Sequence, residues 1–146
     1  MLANEELTSE LISFYGTGPH YPSADQWRSL LNSEHNGKIV MLNLVKLADE
    51  AEHPYDANVR LSGAELMLHY ESISSAAVAR VGGKTIYSGL LVGAIIGEQE
   101  WDAAACVEYP SIDAFIRLFQ DPEYRKSHLY RAAGCSDHRL ILSLPV

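Results

Sequence analysis

An α+β sandwich, with an antiparallel sheet covered by helices on one face, is predicted by three observations. Apolar β-compatible runs alternate with helix-period runs in the order β–α–β–(β)–β–α–β. Helical runs open on capping chemistry: Ser62 stands three positions before Glu65, and Pro110-Ser111 and Asp121-Pro122 introduce two shorter ones. The closing run alternates, with Leu140, Leu142 and Leu144 against Arg139, Ile141 and Ser143, as a strand with one buried face does. Two main helices and four or five strands in this order make a ferredoxin-like sandwich.

The elements follow in order. Leu7, Leu11, Ile12 and Tyr15 have helix spacing, and Gly16-Thr-Gly-Pro19 ends the pattern. A second helix is expected over Asp25–His35, capped by Ser23, with Trp27, Leu30 and Leu31 on one face and Asn36-Gly37 closing it. Residues 1–37 therefore read as a helical N-terminal extension, too short to fold alone, and residues 38–146 as the main domain. Ile39–Leu47 is a strand. Ala48–Ser62 carries acidic pairs, a proline and no apolar period, so a long loop is expected there, and a loop of that length suits a lid. A helix runs from Gly63 or Ala64 to Val81 on the stripe Leu66, Tyr70, Ile73 and Ala77, and Gly82-Gly83 stops it. Lys84–Ser88 is a strand, Leu90–Ile96 a further strand or hairpin, and Trp101–Tyr109 another strand. Helices over Ile112–Phe119 and Glu123–Ala133 and a strand over His138–Leu144 complete the chain.

Size and charge exclude several function classes. The chain has 146 residues, 47% apolar and 21% charged, and a chain of this length buries roughly 70% of its unfolded surface without staples. Nineteen acids and 11 bases give a net charge of −8, which repels a phosphate backbone, and Arg125, Lys126 and Arg131 lie among acids, so no nucleic acid is expected as a partner. The longest apolar run, Gly89–Gly97, falls short of the about 20 residues a membrane span needs. Met1–Glu10 holds three glutamates and no basic region, so no secretory signal is expected. Cys106 and Cys135 form no CxxC pair, and without an export signal they read as free thiols in a cytoplasmic protein.

Helices on one face leave the other face of the sheet bare. Pairing two sheets in a homodimer hides it, or the N-terminal helices cover it instead.

The ordered set Ile39-Val-Met-Leu-Asn-Leu-Val-Lys46, Ser62-Gly-Ala-Glu65 with Tyr70, Val81-Gly-Gly-Lys84, Trp101-Asp102, Val107-Glu-Tyr-Pro-Ser111 with Ala114-Phe115, Asp121-Pro-Glu-Tyr124, Arg131 and Asp137-His-Arg-Leu-Ile141 resembles the domain of unknown function 1330 family. The resemblance spans about Lys38 to Leu144. It implies a dimeric α/β barrel, related in fold to cofactor-free monooxygenases, muconolactone isomerases and EthD-like proteins, and it implies no assigned reaction.

Motif chemistry is mostly excluded. Gly83-Lys84-Thr85 lacks the upstream glycine of a phosphate loop, since position 78 is Val. Gly89, Gly93 and Gly97 have the spacing of a membrane dimer motif in a run too short to use it. There is no GxSxG and no HExxH, and the six histidines are scattered, so neither a metal nor an organic cofactor is expected.

Strand parity supplies the site expectation. With Val40, Leu42 and Leu44 packed under the helices, Met41, Asn43 and Val45 face the opposite way. With Ala103, Ala105 and Val107 under the helices, Asp102, Ala104, Cys106 and Glu108 do the same, as do Arg139 and Ile141 of the last strand. One sheet face then collects Asn43, Asp102, Glu108 and Arg139 among small apolar side chains, the composition of a ligand pocket. The same four also fit a dimer core in which Glu108 and Arg139 form an ion pair. In the catalytic reading Glu108 is the acid or base, Arg139 holds an anionic or enolate oxygen, and Asn43 and Tyr87 donate hydrogen bonds. Trp101 is an interface anchor or a stacking platform. His69 points roughly 100° away from Tyr70 and reaches at most a pocket rim. Arg131 reads as a partner of its helix dipole. Three functions fit: a cofactor-free acid–base enzyme acting on a small hydrophobic substrate, a non-catalytic binder of such a ligand, or a structural homodimer.

Overall fold

The computed structural model describes residues 2–146. Met1, which begins both the predicted extension and the segment read as carrying no export signal, lies outside them. The elements are α1 (Leu2–Tyr15), α2 (Ala24–Leu31), β1 (Ile39–Leu47), β2 (Ala51–His53), β3 (Asp56–Leu61), α3 (Gly63–Arg80), β4 (Lys84–Leu90), β5 (Ala103–Tyr109), α4 (Ile112–Phe119), α5 (Pro122–Gly134) and β6 (Cys135–Ser143). The main sheet has the order β4-β5-β1-β6 and is antiparallel throughout, which is the ferredoxin-like arrangement.

The helix starts follow from their caps. Ser23 with Gln26 and Ser62 with Glu65 form complete capping boxes. Ser111 accepts from the Ala114 amide, and Asp121 accepts from the Glu123 and Tyr124 amides ahead of Pro122 in the first turn. The second helix stops at Leu31, short of the predicted His35, because Asn32 turns out of the helix there.

Register shows which side chains share a face. Ile39, Met41, Asn43 and Val45 stand opposite Tyr109, Val107, Ala105 and Ala103 of β5. Met41, Asn43 and Val45 stand opposite Leu142, Leu140 and His138 of β6. Ile39, Met41 and Val45 are buried, and the first two join the core with Ala77 of α3, Phe115 and Phe119 of α4 and Tyr124 of α5. This is the helical face. The parities expected for β5 and β6 hold. That of β1 is inverted: Val40, Leu42 and Leu44 lie on the open face, and Asn43 points under the helices. Both parities of β1 are apolar, so alternation carries no signal there.

Two connections also differ from expectation. Ala48–Ser62 contains the β2–β3 hairpin rather than a loop. Its strands are mostly solvated on both faces, so they show no apolar period. The hairpin is docked by the Tyr55 hydroxyl, which donates to the Lys126 carbonyl of α5 at 2.9 Å. The further strand or hairpin expected over Leu90–Ile96 does not form: β4 runs on to Leu90, and residues 91–102 are irregular. Val92, Ile95 and Ile96 of that arm are more than nine-tenths exposed.

α1 and α2 share the core of the helical layer. Tyr15 and Trp27 pack on Phe119 with ring centroids 4.8 and 5.2 Å apart. They therefore sit beside α4 and α5 and leave the open face of the sheet uncovered. Gly63 is the tightest joint: its amide donates to the Ala48 carbonyl, and the Ala48 amide donates to that of Gly134. A Cβ on Gly63 would lie 2.5 Å from the Gly134 oxygen and collide with that of Ala48. Among the described residues, no helix is long and apolar enough to cross a membrane.

Candidate functional site

The site grows from α5. Its buried positions Tyr124, Ser127, His128, Arg131 and Gly134 recur at helix spacing, so the inward stripe carries a cation to the middle of β1. Arg131 is 4% exposed. Its Nη1 donates to Oδ1 of Asn43 at 3.0 Å, and its Nε donates to Nδ1 of His138 at 3.2 Å. The Tyr70 ring lies 5.6 Å from its guanidinium carbon. Among the described residues, Nη2 has no hydrogen-bond partner. Among the described residues, no carboxylate pairs with Arg131.

The neighbours are neutral. A guanidinium has only donors, so His138 accepts at Nδ1 and carries its proton on Nε2, which faces Nδ1 of His20 at 3.0 Å. Nε2 of His128 donates to the His20 carbonyl at 3.1 Å. Burial, then the Arg131 charge, pushes His138 down to about 4 and His128 down to about 3. Burial holds the Tyr109 and Tyr124 phenols above their usual range. The hydroxyls of Tyr70 and Tyr124 meet at 2.9 Å. One donates to the other, and the second proton has no protein acceptor.

Two clefts converge on Arg131. One, of about 520 Å³, lies between α3 and the sheet, with Met67, Val78, Ala105, Val107 and Phe115 as apolar walls and Asn43, Tyr70 and Arg131 at its polar end. The other, also about 520 Å³, lies under the segment Pro19–Trp27, against Phe119, His128, His138 and Leu142. No residue of 48–62 lines either cleft, so the expected lid is not placed over them.

The sequence-predicted residues are dispersed. Asn43 is in the cleft, on the face opposite to that expected. Glu108 and Arg139 are on the open face but do not pair. They flank β1 positions Val40 and Leu44. Glu108 lies 3.6 Å from Lys38, while Arg139 pairs with Asp137 and covers the Trp101 ring at 5.1 Å. Tyr87 stands opposite Cys106 on the open face and is 55% exposed. The Asp102 carboxylate, just ahead of β5, accepts the Leu47 amide at 2.7 Å and so ties it to the end of β1. His69 is exposed on α3, stacked on Tyr130 with ring centroids 5.2 Å apart. Among the described residues, no group of three metal-ligating side chains forms. The cluster missed by sequence reasoning is Arg131 with Tyr70, Tyr124 and His138. Its legible signal was a charge at helix spacing from Tyr124 and His128.

Fold and clefts together define a ferredoxin-like α+β protein with two open, mostly apolar clefts that meet at one buried arginine. Residues 57–143 match the family described as a domain of unknown function, DUF1330, and the chain belongs to that family. The crystal structure of the methylated RPA0582 protein is similar, with a TM-score of 0.80 at 33% identity over 89% of this chain and 96% of that one. A second crystal structure of RPA0582, a protein of unknown function from Rhodopseudomonas palustris, gives 0.79 at 33% identity over 89% and 98%. No curated protein matches the chain.

Proposed function

We propose that the protein is a homodimeric small-molecule binder that holds a mostly apolar ligand between α3 and the sheet. The observation that carries this reading is the cleft itself: about 520 Å³, walled by apolar side chains and ending in Asn43, Tyr70 and Arg131, a size and composition typical of ligand pockets. The homodimer is supported by the uncovered sheet face, with Val40, Leu42, Leu44 and Ile141 on it, and by the bare arm 91–99. Contiguous apolar surface of that kind marks an interaction site.

A catalytic version has one observation in its favour. Glu71 is the sole carboxylate lining the cleft and stands at its exposed rim, within the same chamber as Arg131. In that version Glu71, rather than Glu108, is the base.

Ser74 is buried on α3 and lines the cleft, so Ser74→Phe fills it. Titration with a fluorescent apolar probe, Nile red, should saturate at one site per chain in the wild type and lose that site in the variant. A folded Ser74→Phe protein that binds the probe as well as the wild type overturns the reading. Sedimentation at micromolar concentration should give dimers, with Leu42→Lys shifting them to monomers.

A further inference from the structure

We infer that the ligand is an apolar monocarboxylate whose carboxylate docks at the Arg131 guanidinium, at the polar end of the α3 cleft. This rests on the cleft being a ligand site and adds the class of ligand. A buried guanidinium stays charged at any ordinary pH, and taking it out of water is costly unless an anion compensates it. Among the described residues, no anion does so. The two acceptors that orient the fork, Oδ1 of Asn43 and Nδ1 of His138, are both uncharged. They hold Nε and Nη1 and leave Nη2 without a partner in a side chain that is 4% exposed.

The groups facing Arg131 from every packed element keep the charge uncompensated. Tyr70 comes from α3, Tyr124 and His128 from α5, Asn43 from β1, Tyr109 from β5, and Cys135 and His138 from β6. Burial holds the Tyr124 phenol above its usual range and keeps both histidines neutral. The charged lining residues, Glu71 and Lys84, are exposed at the mouth, where water solvates them.

The missing partner is therefore a single negative charge. The free proton of the Tyr70–Tyr124 pair adds a donor of the kind a carboxylate oxygen accepts. A phosphate dianion would leave its second charge among Val78, Val107 and Phe115, so a monoanion with an apolar body fits the chamber better.

Calorimetric titration of the full chain with 2-naphthoate and octanoate, each against its neutral amide, tests the inference. At least one acid should bind at one site per chain, about ten-fold or more tighter than its amide. Arg131→Met should lose the preference for acid over amide. Arg131→Lys, which keeps the charge and loses the fork, should retain a reduced preference, and it decides the matter if the methionine variant does not fold. Amides binding as tightly as acids, or a preference that survives in folded Arg131→Met or vanishes in folded Arg131→Lys, overturns the carboxylate while leaving the pocket standing. If neither acid nor amide binds and Nile red does not either, the pocket reading falls and the inference with it.

Discussion

Arg131 and Arg139 sit on opposite faces of one sheet and solve the same electrostatic problem in opposite ways. Arg139, on the open face, pairs with Asp137 and spreads over Trp101 in contact with solvent, an arrangement worth little to stability. Arg131, under the helices, has two neutral acceptors, an aromatic ring and one unpartnered nitrogen. The difference teaches where to look for a ligand. A charge that the protein itself neutralises has no need of a guest, and a buried charge left uncompensated does.

The largest effect expected from this contrast is acid sensitivity of the helical face. His128 and His138 are pushed down to about 3 and about 4 from an ordinary 6.5. Their folded-state values are depressed, so between those values and 6.5 the unfolded chain binds more protons than the folded one. Stability is then full above about pH 6.5 and falls as the pH drops towards 4 and below. Thermal unfolding followed from pH 7 to pH 4 should show this fall. His128→Gln, which cannot titrate, should flatten part of it. A curve unchanged by that substitution breaks the account of a neutral, desolvated histidine beside Arg131.

Next comes the joint that sets the depth of Arg131. Gly63→Ala would drive a methyl group into the Ala48 and Gly134 carbonyls, which are backbone and cannot rotate away. A loss of about 3 kcal/mol or more in urea unfolding is expected, with α3 and α5 displaced from the end of β1. A loss below about 1 kcal/mol would mean that this three-way contact is slack.

The contrast can also be erased by one isosteric change. Asn43→Asp places a carboxylate where an amide oxygen now stands, 3.0 Å from Nη1 of Arg131, and so gives Arg131 the kind of partner Arg139 already has. The charge-assisted hydrogen bond to Arg131 is opposed by loss of the Nδ2 donations to the Met41 and Ala105 carbonyls, so the ligand-free protein should change in stability by no more than about 1 kcal/mol at pH 7. Its preference for 2-naphthoate over the amide should vanish. Denaturant titration and calorimetry on one preparation read both outcomes. A variant that keeps its acid preference would show that the internal charge is not what selects the ligand.

How much of this was legible from the sequence depended on whether each residue carried a periodic signal. Ser62 with Glu65, Ser111 and Asp121-Pro122 announced their helices because capping is local chemistry. β6 shows its faces through leucines on alternate positions, and β5 through Asp102 and Glu108 on the parity opposite to Val107. β1 does not, because Ile39, Met41 and Val45 are as apolar as Val40, Leu42 and Leu44, and a one-residue slip exchanges the two faces. Asn43 is held inside by a hydrogen bond from a helix 88 positions away in the chain, which no local pattern announces. The β2–β3 hairpin left no period because water touches both of its faces. Arg131 was legible in principle: it falls on the stripe of Tyr124 and His128, and a cation at a core position is a conflict that asks for a cause.

The smallest effects should come from the open face. Glu108 lies 3.6 Å from a lysine that is 67% exposed, and Arg139 is about half exposed beside Asp137. Glu108→Gln and Arg139→Ala should each change stability by no more than about 0.5 kcal/mol, read at a protein concentration where the oligomeric state is unchanged, and both should leave Nile red and 2-naphthoate binding at wild-type strength. That null result carries information, because these two residues are the catalytic candidates that strand alternation nominates. A ten-fold loss of ligand affinity in either variant, with Ser74→Phe left without effect, would move the binding site from the chamber under α3 to the opposite side of the sheet and reverse the roles assigned to the two arginines.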